Sequence, residues 1–400
     1  MNWETSPLGK VTKILSGTTP ESSNPAYWNG SHVWVTPTDL GKLDATVIAT
    51  SARQISESGR ESCNPPLIPK SAVVMSSRAP IGHLAIAGCD LYTNQGCKSF
   101  VCSSDLDAEF LYFTLKHRMG DIQALGNGST FAEVSKSDLE AFEISFPKCI
   151  DEQHQIAAHL KAQLAEVEIA RKAAQVQLSD TRLLRARMLK AFFAELDAAP
   201  KKKLGDYAPT TSGSTPSRGN KQYWQPAEIA WVKTGEVAFA PITATEEAIS
   251  KLALAECSLS LLPPQTILIA MIGQGKTRGQ SAILEIPATT NQNCFAVLPN
   301  DTWEPDFLYL WMKSSYQDLR DLSADRGGSQ AALNGALMNA LEVPAPSKAE
   351  QQHIVARIQA AMTEIDALEN SSKAAMEDIK RLPSCVLAQA FDQQGDEDER

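Results

Sequence analysis

Residues 348–391 read KAEQQHIVARIQAAMTEIDALENSSKAAMEDIKRLPSCVLAQAF, and this stretch decides the fold. Its apolar residues alternate at spacings of four and three, which is typical of a helix packed along a narrow seam. The predicted seam comprises Ile354, Ile358, Ala361, Ile365, Leu368, Ser372, Ala375, Ile379, Leu382 and Val386. A helix of this length extends about 60 Å, so we expect a second helix to cover it along its length.

A second long helix is predicted from about Asp151 to Leu196, although polar residues interrupt its apolar face. Its predicted seam comprises Ile156, Leu160, Val167, Ala170, Ala174, Leu184 and Met188. Two such helices in one chain pack most economically on each other, so we expect an antiparallel rod with a globular domain at each end. Pro200 is expected to end the first helix, and Pro383 to kink the second near its last turns.

The chain is a tandem repeat of one unit about 198 residues long. The matched landmarks are Ser16-Gly17-Thr18-Thr19-Pro20 with Ser212-Gly213-Ser214-Thr215-Pro216, Trp34-Val35 with Trp231-Val232, Thr93-Asn94-Gln95 with Thr290-Asn291-Gln292, Phe110-Leu111-Tyr112 with Phe307-Leu308-Tyr309, and Glu152-Gln153 with Glu350-Gln351. In each half, short β-rich runs with Pro and Gly turns precede a short helix, a strand ending in proline and the long helix. The predicted fold class is therefore α+β.

Composition excludes several classes of protein. Hydrophobic residues make up 43% of the chain, which is enough for packed cores. Residues 1–20 lack the apolar run of a signal peptide and no window is apolar enough to span a membrane, so we expect a cytoplasmic protein without membrane contact. The eight cysteines form no CxxC pair, so we expect no zinc or other metal site and no disulfide framework.

Charge also limits the possible partners. The net charge is -10, and no segment of the chain is basic overall. Tight binding of nucleic-acid phosphates by this chain alone is therefore not expected.

The repeated motifs resemble the specificity subunit of type I restriction–modification systems. The resemblance rests on the SG-x-TP, W-V, N-Q and F-L-Y landmarks, then a strand ending in proline and E-Q-x-x-I at the start of a long helix. It covers the chain from Leu8 to Phe391, and the whole set occurs twice in the same order.

This resemblance implies two β-rich target-recognition domains, joined by two long antiparallel coiled-coil helices in a pseudo-twofold repeat. The expected boundaries are 1–150 for the first domain, 151–199 for the first helical region, 200–346 for the second domain, 347–392 for the second helical region and 393–400 for an acidic tail.

The resemblance also implies how the parts act. Each domain reads one half of a bipartite, gapped sequence in double-stranded DNA, and the helical rod sets the spacing. The rod binds two methyltransferase subunits, and motor-nuclease subunits complete the complex. The chain itself is expected to be non-catalytic and to need no cofactor. The methyltransferase subunits flip and methylate adenine at N6 with S-adenosylmethionine.

The repeat is consistent with this on physical grounds. A pseudo-twofold protein matches two half-sites on one duplex. Because the two halves differ outside their landmarks, they are expected to read different half-sites.

Two stretches look like catalytic motifs. Asn64-Pro65-Pro66-Leu67 resembles the Asn-Pro-Pro-aromatic motif of amino-methyltransferases, but Leu67 stands where an aromatic ring would stack on the base. Residues 270–277 (AMIGQGKT) fit a loose phosphate-loop pattern, but a strand is predicted next, where a phosphate loop requires a helix. We therefore favour a proline-marked turn and a hairpin.

Long hydrogen-bond donors on loops are the candidates for contacting DNA. Gln274, Lys276 and Arg278 lie on a Gly-rich turn of the second half, and Arg78 and His83 lie on the equivalent turn of the first. An ordinary solvated turn explains each of these residues equally well. Further candidates are Arg60, Lys98, Arg218, Lys221, Lys233 and Arg326.

Matched aromatic and apolar residues are assigned to packing. Trp34, Trp231, Tyr112 and Tyr309 lie in apolar runs, so we expect core positions and no base stacking. The residues expected to form the rod and to bind partners are Ile156, Leu160, Val167, Ile354, Ile358, Ile365, Leu368 and Ile379.

Two other functions stay open at this point. The acidic balance permits a helical scaffold that does not read DNA. A self-contained methyltransferase or NTPase would require the Asn64 or Lys276 motif to work, and companion motifs for either are absent from the sequence.

Overall fold

The computed structural model describes residues 2–126, 132–273, 275–323 and 332–392. They form two compact units, one made of the described residues of 1–174 and 375–400, the other of those of 175–374. Each unit contains a β-rich globular domain and a part of each of two long helices. No helix within the described ranges is long and apolar enough to cross a membrane.

The strands of the first globular domain form three sheets. They are β1 (Trp3–Pro7), β2 (Thr12–Ser16), β3 (Trp28–Val35), β4 (Val47–Ile48), β5 (Arg53–Ile55), β6 (Val73–Ser76), β7 (Leu84–Ala87), β8 (Tyr92–Thr93), β9 (Cys97–Cys102) and β10 (Glu143–Pro147). The sheet orders are β2-β9-β6-β7-β4, β5-β3-β8 and β1-β10. Most pairs are antiparallel, whereas β3 pairs with β8, and β4 with β7, in parallel.

Short helices close this domain before the first long helix begins. They are α1 (Leu8–Val11), α2 (Pro37–Gly41), α3 (Glu57–Cys63), α4 (Ala108–His117), α5 (Met119–Ala124) and α6 (Lys136–Ala141), followed by the long helix α7 (Ile150–Ala194). Asp107 caps the N-terminus of α4, and its Oδ1 accepts a hydrogen bond from Phe110 N at 2.8 Å. This cap satisfies a backbone donor that the helix itself leaves unpaired.

The second globular domain repeats the plan of the first. Its strands are β11 (Lys201–Lys203), β12 (Thr210–Ser212), β13 (Ile229–Val232), β14 (Glu247–Ile249), β15 (Ile267–Ala270), β16 (Ser281–Ile283), β17 (Thr289–Thr290), β18 (Cys294–Val297) and β19 (Glu342–Pro344). Its helices are α8 (Leu204–Tyr207), α9 (Lys251–Glu256), α10 (Pro305–Ser314), α11 (Tyr316–Asp321) and α12 (Gly335–Asn339), followed by the long helix α13 (Lys348–Phe391). The sheet orders β12-β18-β15-β16, β14-β13-β17 and β11-β19 match the first domain strand by strand. Strand β4 is matched only by a single parallel bridge between Ile242 and Leu284. The structure therefore confirms the predicted α+β repeat.

The two long helices pack antiparallel within each unit. In the first unit, Leu160 near the start of α7 and Leu387 near the end of α13 share one core. In the second unit, Leu189 near the end of α7 shares a core with Ile358 near the start of α13. Arg357 Nη1 of α13 also lies 2.9 Å from Glu195 Oε2, just beyond the end of α7.

The chain ends meet in the core of the first unit. The ring of Trp3 lies 6.0 Å from that of Phe110, and the ring of Phe391 lies 5.7 Å from that same phenylalanine. The His117 ring stacks on Phe391 at 5.2 Å. Both ends of the described chain therefore contact one side chain.

The strict seam predicted for the long helices is wrong in part. Leu160, Ile354, Ile358 and Ile365 are buried as predicted, and Ile156, Val167 and Ile379 are half-buried. Leu368, Leu382 and Leu184 are instead 42%, 41% and 47% exposed. Apolar residues that are buried beyond the prediction are Val355, Met376 and Leu387 on α13 and Ala157, Leu178, Leu189 and Phe193 on α7. A turn of 3.6 residues drifts away from a strict seven-residue repeat, so the buried stripe moves along the helix.

The glutamine of the repeated Glu-Gln motif joins each long helix to its globular domain through hydrogen bonds. Gln153 is fully buried, accepts from Asp107 N at 2.8 Å and donates to the carbonyl oxygens of Asp105 and Pro147 at 2.9 and 2.7 Å. In the second unit, Gln351 accepts from Glu304 N at 2.8 Å and donates to two carbonyl oxygens at 2.9 Å. One side chain thus satisfies three backbone groups in each unit.

Candidate nucleic-acid interface

In the first unit, the loop after β2 packs directly on the turn after β8. A Cβ added at Gly17 would lie 2.1 Å from the Thr93 carbonyl oxygen, so only glycine fits there. This contact allows Thr18 N to donate to Thr93 O at 3.0 Å. The indole of Trp34, which is 4% exposed, then donates to Thr18 O at 3.1 Å.

The second unit repeats these contacts with the matched residues. We call the glycine, the threonine carbonyl group and the tryptophan together the Gly–Thr–Trp frame. A Cβ at Gly213 would lie 1.8 Å from Thr290 O, and Ser214 N donates to that oxygen at 3.0 Å. Trp231, 2% exposed, donates to Ser214 O at 3.1 Å. The prediction that the matched tryptophans belong to the core is confirmed.

An exposed glutamine stands on this frame in each unit. The Thr19 hydroxyl donates to Gln95 Oε1, and the Thr215 hydroxyl donates to Gln292 Oε1 at 2.6 Å. Both glutamines are exposed. The sequence showed them only as landmarks of the repeat, without a role.

An arginine covers a tryptophan ring beside the frame in each unit. The Arg53 guanidinium lies 3.4 Å from the ring centre of Trp28, and that of Arg218 lies 3.9 Å from Trp224. Such stacking orients a cation at the surface. Arg218 was predicted as a DNA contact, whereas Arg53 was missed because no repeated motif marks it.

Arg78, on the turn between β6 and β7, and Lys98 both pair with Glu133. Arg78 Nη1 and Lys98 Nζ each lie 3.5 Å from the Glu133 carboxylate. Lys98 lies on β9 with its side chain only 8% exposed, so it is not a loop-tip donor. His83 is half-buried, and its backbone N donates to Ser76 Oγ at 2.9 Å.

The turn between β15 and β16 is three residues longer than its counterpart. Its predicted hairpin is confirmed, since Ile269 pairs with Ser281 across it. Lys276 is exposed, and its carbonyl oxygen accepts from Tyr316 Oη at 2.6 Å. Arg320 Nη1 donates to Arg278 O at 3.1 Å.

The prediction that Arg278 protrudes from this turn is wrong. The residue is 8% exposed because helix α11, with Tyr316 and Arg320, packs over the base of the turn. Gln274 and Arg326 lie outside the described residues, as do most of the Gly-rich loops at 126–129 and 326–329 and the tail at 393–400.

Arg60 belongs to a charge cluster on α3. Its Nε donates to Glu57 Oε1 at 2.8 Å, and His32 Nε2 lies 2.7 Å from the other oxygen. The hydrogen bonds from Arg60 and then His32 lower the pKa of Glu57 to about 2. The carboxylate therefore stays charged and holds Arg60 close to α3.

Two lysines of the second unit differ in their surroundings. Lys233 Nζ lies 2.5 Å from Glu246 and 3.2 Å from Glu247, and hydrogen bonds to these carboxylates raise the pKa of Lys233. Glu247 also pairs with Arg218. Lys221 is exposed on the 3-10 turn Lys221–Tyr223. Several of the predicted cations are therefore held by carboxylates of the chain.

Neither of the two stretches that resemble catalytic motifs, 64–67 and 270–277, forms a catalytic site among the described residues. Asn64 ends α3 in the left-handed conformation, with φ of 42°, which is a capping role.

Burial raises the pKa of the Cys97 and Cys294 thiols to about 12, so both are neutral. Among the described residues, no group of His, Cys, Asp or Glu could hold a metal ion.

The family comparison matches both halves of the chain. The model of the type I restriction modification DNA specificity domain matches residues 1–177 and 199–378. The chain belongs to this family. Each match comprises one globular domain, called a specificity domain below, and most of the long helix that follows.

Curated relatives carry the same description. The MjaIX specificity subunit of Methanocaldococcus jannaschii is 28% identical over 68% of this chain and 67% of its own length. The EcoR124I/EcoR124II specificity subunit of Escherichia coli is 27% identical over 42% of this chain, and the alignment spans 41% of that relative.

Solved structures show the same fold over nearly the whole chain. A chain of a type I restriction–modification system aligns over 97% of both chains, with a TM-score of 0.71 and 18% identity. The HsdS subunit of Thermoanaerobacter tengcongensis aligns over 97% of this chain and 96% of its own, with a TM-score of 0.64 and 17% identity.

Large apolar side chains are exposed on the long helices of the second unit. Val176 and Leu183 lie seven residues apart on α7 and are 58% and 46% exposed. Leu368 on α13 is 42% exposed. Apolar side chains repeated along one face of a helix are typical of a surface that binds another protein.

Proposed function

We propose that this chain is the DNA-specificity subunit of a type I restriction–modification complex. Each specificity domain reads one half of a bipartite, gapped target in double-stranded DNA, and the long helices set the separation of the half-sites. The chain is non-catalytic: two methyltransferase subunits bound to the helices modify adenine at N6, and motor-nuclease subunits complete the complex.

The duplicated frame is the observation that carries this proposal. Both specificity domains present the same Gly–Thr–Trp frame at matched positions, yet the turns beside it differ in length and in their cations. The first turn has Arg78 paired to Glu133, whereas the longer second turn exposes Lys276. One scaffold with two different sets of loops fits two different half-sites on one duplex.

The helices support the part of the proposal that concerns partners. The exposed Val176 and Leu183, seven residues apart on α7 in the second unit, supply apolar contacts for a methyltransferase subunit. The chain has a net charge of -10, and carboxylates such as Glu133 already pair with candidate cations. Binding of DNA is therefore expected to be tighter in the assembled complex than with this chain alone.

The decisive experiment is a genome-wide map of N6-methyladenine. DNA is compared from cells that express the methyltransferase subunit with and without this chain. We expect a gapped, two-part motif only when the chain is present. A single ungapped motif would show that only one domain reads DNA, and an unchanged map with an assembled complex would leave a helical scaffold.

A substitution tests the second specificity domain. Lys276→Ala is expected to weaken or relax one half of the motif and to leave assembly with the methyltransferase intact. Lys201→Ala, an exposed lysine on β11 of the same unit, is the control and should leave the motif unchanged. Loss of assembly with Lys276→Ala would show a structural role instead.

A further inference from the structure

Gln95 and Gln292 are exposed members of a repeated motif whose other members are buried or support the backbone. Thr93 and Thr290 are buried, and their carbonyl oxygens hold the loop that contains Gly17 or Gly213. The fold explains these positions. It does not explain an exposed glutamine at the same place in both specificity domains.

An asparagine turn presents each glutamine. Asn94 Oδ1 accepts from Gly96 N at 3.0 Å, and Asn291 Oδ1 accepts from Asn293 N at 3.1 Å. The glutamine lies between the two ends of this short hydrogen-bonded turn. Its backbone position is therefore fixed in the same way in both units.

The threonine hydroxyls fix the orientation of the side-chain amides. Because Thr19 and Thr215 donate to Oε1, the amide nitrogen Nε2 of each glutamine is left with two donors. Within the described ranges, Nε2 of Gln95 and Gln292 has no acceptor. Each unit thus presents an oriented pair of N–H groups at an exposed position.

Two cations lie near the turn that contains Gln95, and one follows the threonine that binds Gln292. Lys98 Nζ donates to the Gln95 carbonyl oxygen at 3.4 Å, and Arg78 Nε lies 3.2 Å from where a Cβ on Gly96 would stand. In the second unit, Arg218 follows Thr215 by three residues, and its side chain is 55% exposed. Arg78 and Lys98 pair with Glu133, and Arg218 pairs with Glu247. The preference for a hydrogen-bond acceptor as ligand therefore rests on the N–H donors of the amides.

Stability alone does not account for the repeated pair. An exposed hydrogen bond between two neutral side chains contributes about 1 kcal/mol or less to folding. The two domains differ in most of their loops, so an identical exposed pair indicates a ligand common to both half-sites. The sugar–phosphate backbone is common to any two DNA sequences.

We propose that Gln95 and Gln292 each donate from Nε2 to a backbone phosphate of the half-site that their domain reads. Thr19 and Thr215 are positioning residues that hold the amide oxygens so that the nitrogens face the phosphate. This inference rests on the proposed function and adds a sequence-independent contact to it.

The test uses the chain assembled with its methyltransferase subunits. Binding to a duplex with the methylated motif and to an unrelated duplex is measured over a range of salt concentrations for the Gln95→Ala/Gln292→Ala double variant. We expect affinity for both duplexes to fall by the same factor, roughly tenfold. The salt dependence should stay unchanged, since a neutral amide displaces no counterion. The methylated motif should also stay the same.

Two results would overturn the proposal. A changed base preference in either half of the motif would show that the amides read bases. Unchanged affinity for the unrelated duplex would show that they contact no backbone. Gln352→Ala, at an exposed glutamine whose Nε2 lies 3.4 Å from Glu304 Oε1, is the matched control and should bind both duplexes normally.

Further variants separate positioning from folding. Gln95→Glu/Gln292→Glu should weaken binding more at low salt than at high salt, because the new carboxylates repel phosphate. Thr19→Val/Thr215→Val should weaken binding with an unchanged unfolding midpoint, and serine at both positions should restore it. A lowered midpoint with normal affinity would assign the threonines to folding and overturn their positioning role.

Failure of this inference is distinct from failure of the proposed function. A wild-type complex that methylates no gapped motif contradicts the proposed function itself. A wild-type complex with a gapped motif, whose glutamine variants bind DNA normally, contradicts only the phosphate contact.

Discussion

Gly213 occupies the closest backbone approach in the second unit, since its missing Cβ would lie 1.8 Å from Thr290 O. Gly213→Ala should push the loop after β12 off β17 and break the bond from Ser214 N. We expect a loss of about 2–3 kcal/mol in the free energy of unfolding of this unit, measured by chemical denaturation. Gly235→Ala is the control, because nothing lies within 4 Å of its added Cβ. Equal losses for both variants would show that crowding at Gly213 does not matter.

The charge cluster on α3 should respond to pH. The folded-state pKa of Glu57 lies near 2, below the ordinary value of 4.5, so its stabilising effect is complete above pH 4.5 and is lost as the pH falls toward 2. Arg60→Ala removes the largest cause of the shift and should return the pKa of Glu57 toward 4.5. An NMR titration of the side-chain carboxyl carbon measures this. An unchanged pKa would show that His32 alone is sufficient.

Single residues were predictable where the pattern was local. Trp34 and Trp231 lie in apolar runs, and both are buried. Arg278 lies in a Gly-rich turn that looks solvated, yet α11 covers it from some forty residues further along the chain. A single sequence does not show which segment packs over a turn. The glutamines of the frame were visible as repeats, but their threonine partners lie some 76 residues away.

At the scale of elements, the length of the long helices was easier to predict than which of their residues are buried. The second long helix has the predicted bounds, Lys348–Phe391, and the first begins and ends within two residues of the prediction. The buried residues were predicted less accurately because both helices pack on globular domains as well as on each other. The broader buried stripe includes Val355 and Met376, which a two-helix seam omits.

This difference predicts unequal costs on one helix. Ile358→Ala removes a fully buried side chain from the core of the second unit and should cost about 2–5 kcal/mol in the free energy of unfolding. Leu368→Ala, at 42% exposure, should cost about 0.5 kcal/mol or less. Under the proposed function, Leu368→Ala should instead weaken binding of the methyltransferase subunit. A large loss of stability from Leu368→Ala would instead support the predicted seam, in which Leu368 is buried.

At the scale of the whole molecule, the repeat was the strongest signal in the sequence. It predicted two domains of one fold because the landmarks recur in order at nearly constant spacing. It did not predict the longer second turn, because the landmarks on either side, Trp231 and Thr290, keep the same offset of 197 from Trp34 and Thr93. The three additional residues of the turn are therefore offset by an equal shortening elsewhere between these landmarks. The differences between the domains therefore had to come from the structure.

The meeting of Trp3 and Phe391 on Phe110 has a topological consequence. The two ends of the described polypeptide lie close to each other within the first unit. Joining its ends with a short Gly/Ser linker and opening it between Asp197 and Lys201 should yield a permuted protein. We expect it to fold and to specify the same methylated motif, whereas opening between Leu178 and Ser179 should abolish folding, because that cut interrupts α7 at a buried residue. The order of the two domains along the chain would then determine neither the fold nor the motif.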